Sequence, residues 1–147
     1  MDKVCLNTDG GARGNPGPAG VGVVISKVDG TILKEASRPL GWATNNVAEY
    51  QAVIFGLDTL KQSFSKEKLK MMEVEIRLDS ELVAKQLRGE YQIKEETLFP
   101  FFINIWNKRV TDFPKLIFTH ISREQNRRAD ALANEAMDEQ GKPNTLL

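Results

Sequence analysis

The sequence predicts an α/β domain built on a five-stranded mixed sheet, an antiparallel meander followed by parallel strands, with helices on its faces. Three observations predict it. Two strand-like segments flank an Asp29-Gly30 turn near the N-terminus. Beyond them, apolar spacing switches from helical, at Val47, Tyr50, Ile54 and Leu57, to alternating, at Val74, Ile76 and Leu78. Later a strand over Leu116–Ile121 precedes a helical stripe from Ala129 to Met137. Three strands, helix, strand, helices, strand, helix is the order of a meander joined to crossover units.

The first strand carries Val4 and Leu6 and is expected to end at Asp9, before a Gly/Pro-rich loop over Gly10–Gly20. Strands over Gly20–Val28 and Thr31–Arg38 form the hairpin, because Asp-Gly supplies the positive φ that tight hairpin turns require. Thr44, Asn45 or Asn46 caps the first long helix. The strand of Val74, Ile76 and Leu78 ends at Asp79, and Ser80 caps the short helix after it. Leu98, Phe101, Phe102, Ile105 and Trp106 form a third helix, with Pro100 acceptable in its first turn, and this aromatic stripe is read as core. The final helix stops near Gly141, and Lys142–Leu147 are expected to be a loose tail, so that residues 1–141 form one domain.

Composition narrows the classes. The chain has 147 residues, 41% of them hydrophobic, enough for one domain with a core. No apolar run approaches the roughly 18 residues of a membrane helix. Cys5 is the single cysteine, which rules out an internal disulfide, fits a buried strand residue and suggests a cytoplasmic protein. The direct start and short tail suggest a free monomer. Net charge is +0, so an affinity for polyanions must come from local arrangement.

Four carboxylates stand out. Asp9 and Asp79 end strands, each with parity opposite to that strand's apolar residues. If the strands are parallel neighbours, both acids emerge at one edge, where open α/β sheets place ligands. Glu49 has Ala52, Val53 and Gly56 on its helix face, which presses it toward the sheet and desolvates it. Asp130 opens the last helix. Singly, each acid could be a turn or helix-start residue. Together, converging acids without arginine partners repel, and a bound cation relieves that. Oxygen ligands favour Mg²⁺ or Mn²⁺, and one histidine with one cysteine cannot cage zinc. The Gly10-Gly11-Ala12-Arg13-Gly14-Asn15-Pro16-Gly17 loop has neither dinucleotide nor P-loop spacing.

Thr8-Asp9-Gly10-Gly11 with Gly14-Asn15-Pro16-Gly17, Thr44-Asn45-Asn46 with Glu49, Leu78-Asp79-Ser80, and Arg123-Glu124-Gln125-Asn126 with Ala129-Asp130-Ala131-Leu132-Ala133 follow in order from residue 8 to 133. In these motifs the chain resembles the type 1 ribonuclease H (ribonuclease HI) family. The resemblance implies the ribonuclease H-like fold and an endonuclease that cuts the RNA strand of RNA–DNA hybrids, leaving 5′-phosphate and 3′-hydroxyl ends. It implies that Asp9, Glu49, Asp79 and Asp130 hold two Mg²⁺ or Mn²⁺ ions, and that Gly10, Gly11, Asn15, Asn45, Asn46 and Ser80 lie against substrate. Side activity on double-stranded RNA stays open, as does a catalytically silent nucleic-acid-binding module of the same fold.

Two departures matter. Many relatives carry a substrate-contacting glutamine where this chain has Glu81, and that contact is not carried over. Many bacterial relatives insert a basic helix and loop where Tyr91–Glu96 leads almost directly into the next helix, so this is the short form without the basic protrusion. The family's mobile histidine has two candidates for its place. His120 reads as strand, whereas Arg123 lies in the following loop and is the favoured catalytic assistant.

Overall fold

In the computed structural model, which describes residues 2–141, β1 (Lys3–Ala12), β2 (Gly17–Lys27) and β3 (Ile32–Ala43) form the meander. Then come α1 (Asn45–Ser63), α2 (Lys66–Met71), β4 (Glu73–Leu78), α3 (Glu81–Leu87), a 3-10 turn (Glu96–Leu98) and α4 (Phe99–Thr111). β5 (Leu116–His120), a second 3-10 turn (Arg123–Asn126) and α5 (Arg127–Gly141) complete the chain. The sheet order is β3-β2-β1-β4-β5. β1, β2 and β3 pair antiparallel, whereas β4 lies parallel to β1 and β5 parallel to β4. The expected tail, residues 142–147, lies outside the described residues. No described helix is long and apolar enough to cross a membrane.

The alternating apolar residues face one main core. Val4, Leu6, Val74, Ile76 and Leu78 pack there against Tyr50, Val53 and Leu57 of α1. Cys5 is buried in β1, as expected. α5 covers the other face over β2, where Val24 packs with Ala129 and Leu132. Its approach is close. A Cβ at Gly22 would stand 2.4 Å from the Ala129 carbonyl oxygen, so only glycine lets the helix lie there. The hairpin forms at Asp29, whose carboxylate accepts from the Thr31 N–H at 2.9 Å. Thr44 is the residue that caps α1, its hydroxyl accepting from the Val47 N–H. Ser80 caps α3 in the same way.

Four expectations need correction. Asp9 does not end its strand: Gly10, Gly11 and Ala12 continue β1, paired with Val21, Gly20 and Ala19. Small residues with weak strand preference extend the sheet here because α1 and α5 lie close over them. The expected loop over Gly10–Gly20 therefore shrinks to the turn around Arg13–Pro16, and β2 begins at Gly17. β3 runs on to Ala43, through register shifts in its pairing with β2. Finally, the stripe of α4 is core except at Trp106. Leu98 and Ile105 are buried and Phe101 and Phe102 pack half-buried against the core, but Trp106 is exposed, because α4 packs mainly against α1 and buries only a narrow strip. α2 was not foreseen. It is short and polar, capped by Ser65, and buries only Leu69.

Candidate active site

Each acid stands on a different element. In antiparallel pairing, directly opposite residues share a face. Asp9 is opposite Gly22, so it lies on the α5 face of the sheet. By alternation along β4, Asp79 emerges on that face too, one residue beyond the strand. Asp130 comes from the first turn of α5. Glu49 comes from α1, and its approach depends on Gly10: a Cβ there would fall 2.2 Å from the Ala48 carbonyl oxygen and 2.8 Å from the Glu49 nitrogen. Gly10 thus lets α1 settle onto β1 and sets Glu49 beside Asp9.

The four acids line one cleft of ≈ 350 Å³ together with Gly10, Gly11, Asn45 and Arg123. A narrower crevice adds Ser80 beside Asp9, Glu49 and Asp79. Sequence reasoning missed Arg13 and Asn134 on the cleft wall. Asn134 could have been found, since it sits one helical turn after Asp130 and donates to the Asp130 carbonyl at 3.0 Å. Arg13 is tied to Asp138 of α5 at 2.7 Å.

The remaining candidates lie around this cleft. Asn45 accepts from the Ala12 N–H at 2.9 Å through its side-chain oxygen. Asn15 accepts from the Asn45 N–H at 3.0 Å, which fastens the turn to the start of α1. Asn46 faces a second cleft of ≈ 400 Å³, shared with Gln86, Tyr91 and Lys94. His120 is exposed at the end of β5, in register with Leu78, and is not on the wall of the acidic cleft. Arg123 opens the 3-10 turn that Ser122 and Gln125 stabilise by a reciprocal capping box. Asn126, at the end of that turn, donates to the Thr8 carbonyl and accepts from Asn7, so the turn is bolted to β1 beside Asp9.

The electrostatics follow from this crowding. Burial, then the charge of Asp79 and hydrogen bonding to Asp130, pushes the Asp9 carboxyl up to about 8. Burial likewise lifts Glu49 to about 7, against the opposing hydrogen bond from Ser80. Oε2 of Glu49 is buried without a hydrogen-bond partner, a costly state for a carboxylate. A hard divalent cation answers each of these: it takes oxygen donors, compensates converging negative charge and gives the orphaned oxygen a partner. Among the described residues no three acidic, histidine or cysteine side chains are gathered tightly enough to clasp an ion as they stand. Mutual repulsion of carboxylates spreads such a set across a cleft. The donor set fits a divalent ion in its chemistry, all four acids lining one cleft.

A family model described as reverse transcriptase-like matches residues 7–136. The solved structure of LC11-RNase H1, isolated from compost by a metagenomic approach, superposes with a TM-score of 0.89 at 51% identity, covering 95% of this chain and 98% of that one. The chain belongs to the type 1 ribonuclease H family. LC11-RNase H1 has also been solved in complex with an RNA/DNA hybrid, at TM-score 0.88, 51% identity and coverage of 92% and 97%. Ribonuclease HI of Halobacterium salinarum is 41% identical over 131 residues, covering 89% of this chain and 62% of that one. A bifunctional protein of Mycobacterium tuberculosis is 39% identical over 137 residues, which are 92% of this chain and 36% of that one. The chain therefore spans about a third of the length of its mycobacterial relatives. Within the family it is a short form, since only residues 88–95 separate α3 from the next helical turn.

Proposed function

We propose that this ribonuclease H hydrolyses the RNA strand of RNA–DNA hybrids, leaving 5′-phosphate and 3′-hydroxyl ends. The observation that carries the reading is the convergence of Asp9, Glu49, Asp79 and Asp130, from four separate elements, on one cleft beside Asn45. The hybrid held by LC11-RNase H1 supports the substrate class.

The four acids are the residues that would hold Mg²⁺ or Mn²⁺, two ions in the full site. Such ions, when bound, polarise phosphoryl oxygens and make water a nucleophile near neutral pH. The chain's own residues do the rest. Arg123 sits on the cleft wall, where its guanidinium meets charge that grows on the phosphate, worth more in the transition state than in the ground state. Asn45 already uses its amide oxygen on Ala12, so it turns only N–H donors toward substrate. Donors suit the minor groove, whose base edges and 2′-hydroxyl oxygens accept hydrogen bonds. Asn46 extends the same contact into the second cleft. Asn15 acts at one remove, holding Asn45 in place. In hydrolysis the water oxygen bonds to phosphorus, the bond to the 3′-oxygen breaks, and that oxygen leaves as the hydroxyl.

The test is a substrate panel: hybrid, single-stranded RNA, double-stranded RNA and DNA duplex, each with Mg²⁺, Mn²⁺ or chelator. Hybrid should be cut fastest, only with divalent ion, and the product should be a substrate for end-labelling only after removal of its 5′-phosphate. Faster cutting of DNA duplex, or binding of hybrid with no cutting in either metal, would contradict the reading; the second result would point to a silent binding module.

A further inference from the structure

Scattered apolar side chains on a surface are ordinary, but a contiguous run of them is not. The outward face of α4 carries such a run. Phe99, Ile103, Trp106 and Val110 are 41%, 55%, 53% and 64% exposed. Their spacing of four, three and four keeps all four within about 60° of one another around the helix, in a stripe roughly 17 Å long. On one side it meets the half-buried Phe102, whose ring stacks on Trp106 at 6.5 Å between centroids. α4 packs mainly on α1 and the preceding 3-10 turn, so nothing among the described residues covers the stripe. This is not a habit of the whole surface, since the exposed positions of α5 are almost all charged.

The spacing reads the same from both ends, and that points to the occupant. A two-fold axis between Ile103 and Trp106 lays a second α4 antiparallel on the first. Phe99 then meets the other copy's Val110, and Ile103 meets the other copy's Trp106. Every contact joins one aromatic ring to one aliphatic side chain, so large faces small along the whole seam. Charge fits the same arrangement. Arg109 and Glu95 each stand seven residues from Phe102, on its flank of the stripe, and neither has an ion-pair partner among the described residues. Antiparallel pairing carries each Arg109 to the level of the other copy's Pro100, five residues or roughly 7 Å from that copy's Glu95. Two ion pairs close, one at each end. Parallel pairing would instead set Arg109 beside Arg109.

We propose that a second copy of this chain docks on the α4 stripe, so that the protein forms an antiparallel dimer through α4. The exposed parts of the four side chains come to roughly 400 Å², about half of the ~800 Å² that each partner gives to a standard interface. The dimer is therefore reversible, with a dissociation constant on the order of tens of micromolar. It departs from the free monomer expected from the sequence. It does not depend on the hybrid-cutting reading, because no stripe residue lines the acidic cleft.

Sedimentation equilibrium of the unaltered chain, from about 1 to about 300 μM, reads the association directly. The average mass should rise from 16.5 kDa toward twice that value. Ile103→Lys puts a charge at the centre of the seam and should raise the dissociation constant tenfold or more, with thermal unfolding close to that of the unaltered chain. Arg109→Glu and Glu95→Arg should each weaken the dimer severalfold. The double exchange should restore it, which a general loss of folding would not allow. A mass of 16.5 kDa throughout the range would overturn the proposal. So would a dimer that Ile103→Lys leaves intact, or a double exchange no tighter than either single one, because the second copy would then sit elsewhere or in another register.

Discussion

The Asn126 side-chain amide donates to the backbone carbonyl of Thr8 at 2.9 Å across 118 positions of sequence, and Asn126 is buried. Its oxygen accepts from Asn7 at 3.1 Å. One side chain therefore joins the turn that begins with Arg123 to the strand that carries Asp9.

Asn126→Ala should leave the buried Thr8 carbonyl unpartnered and cost about 1–3 kcal/mol of stability. Loosening the turn should also lower kcat, because Arg123 and Asp130 flank the bolt on either side. Denaturant unfolding and steady-state cleavage check the two effects. Wild-type stability with wild-type turnover would show that the contact holds nothing in place.

The ion-free protein should lose stability as pH rises from about 4 to about 8. Asp9 and Glu49 have folded pKa values raised to about 8 and about 7. The folded state then binds more protons than the unfolded one across this window, so stability falls with rising pH. Glu75 acts in the opposite sense. Burial raises its pKa, but hydrogen bonds from Lys3, Arg77 and Thr119 outweigh that and hold it near about 2. Its contribution is present above the ordinary glutamate range and is lost as pH falls toward 2. Thermal unfolding in chelator should therefore show a maximum between these limbs. Asp9→Asn should flatten the upper limb, and divalent ion should raise stability most at pH 8. A flat upper limb in the unaltered chain would contradict the crowding of the acids.

Arg123→Ala should reduce turnover more than hybrid affinity, since Arg123 lies on the cleft wall. His120→Ala should leave turnover and its pH profile nearly unchanged, since His120 ends β5 outside that wall. Turnover against pH for both variants, with affinity measured separately in calcium, decides between them. A tenfold loss in His120→Ala, about 1.4 kcal/mol of barrier, with Arg123→Ala unaffected, would reverse the assignment.

The meander, the crossover order and three of the four acid placements were legible because they rest on local pattern. Val74, Ile76 and Leu78 alternate, the apolar residues of α1 recur at three and four, and Asp29-Gly30 is a turn by its own chemistry. What sequence could not show depends on distant partners. Gly10, Gly11 and Ala12 have little intrinsic reason to be strand and become so by pairing with β2 under two helices. The α4 aromatics follow a helical period, but the period does not say how wide a strip the neighbouring α1 will cover. Asn126 looks like one polar residue in a loop until its partner, Thr8, is brought to it.

The central claim is that four converging carboxylates make a divalent-ion-dependent cutter of the RNA strand. It is tested most directly with a hybrid labelled on both strands, given to the unaltered chain and to Asp79→Asn. The unaltered chain should cut only the RNA strand, and only with Mg²⁺ or Mn²⁺. Asp79→Asn should lose more than the roughly 10–100-fold typical of residues that merely support metal ligands, while staying folded and slightly more stable in chelator. Near-normal cutting by Asp79→Asn at saturating ion, or undiminished cutting by the unaltered chain in excess chelator, would contradict it.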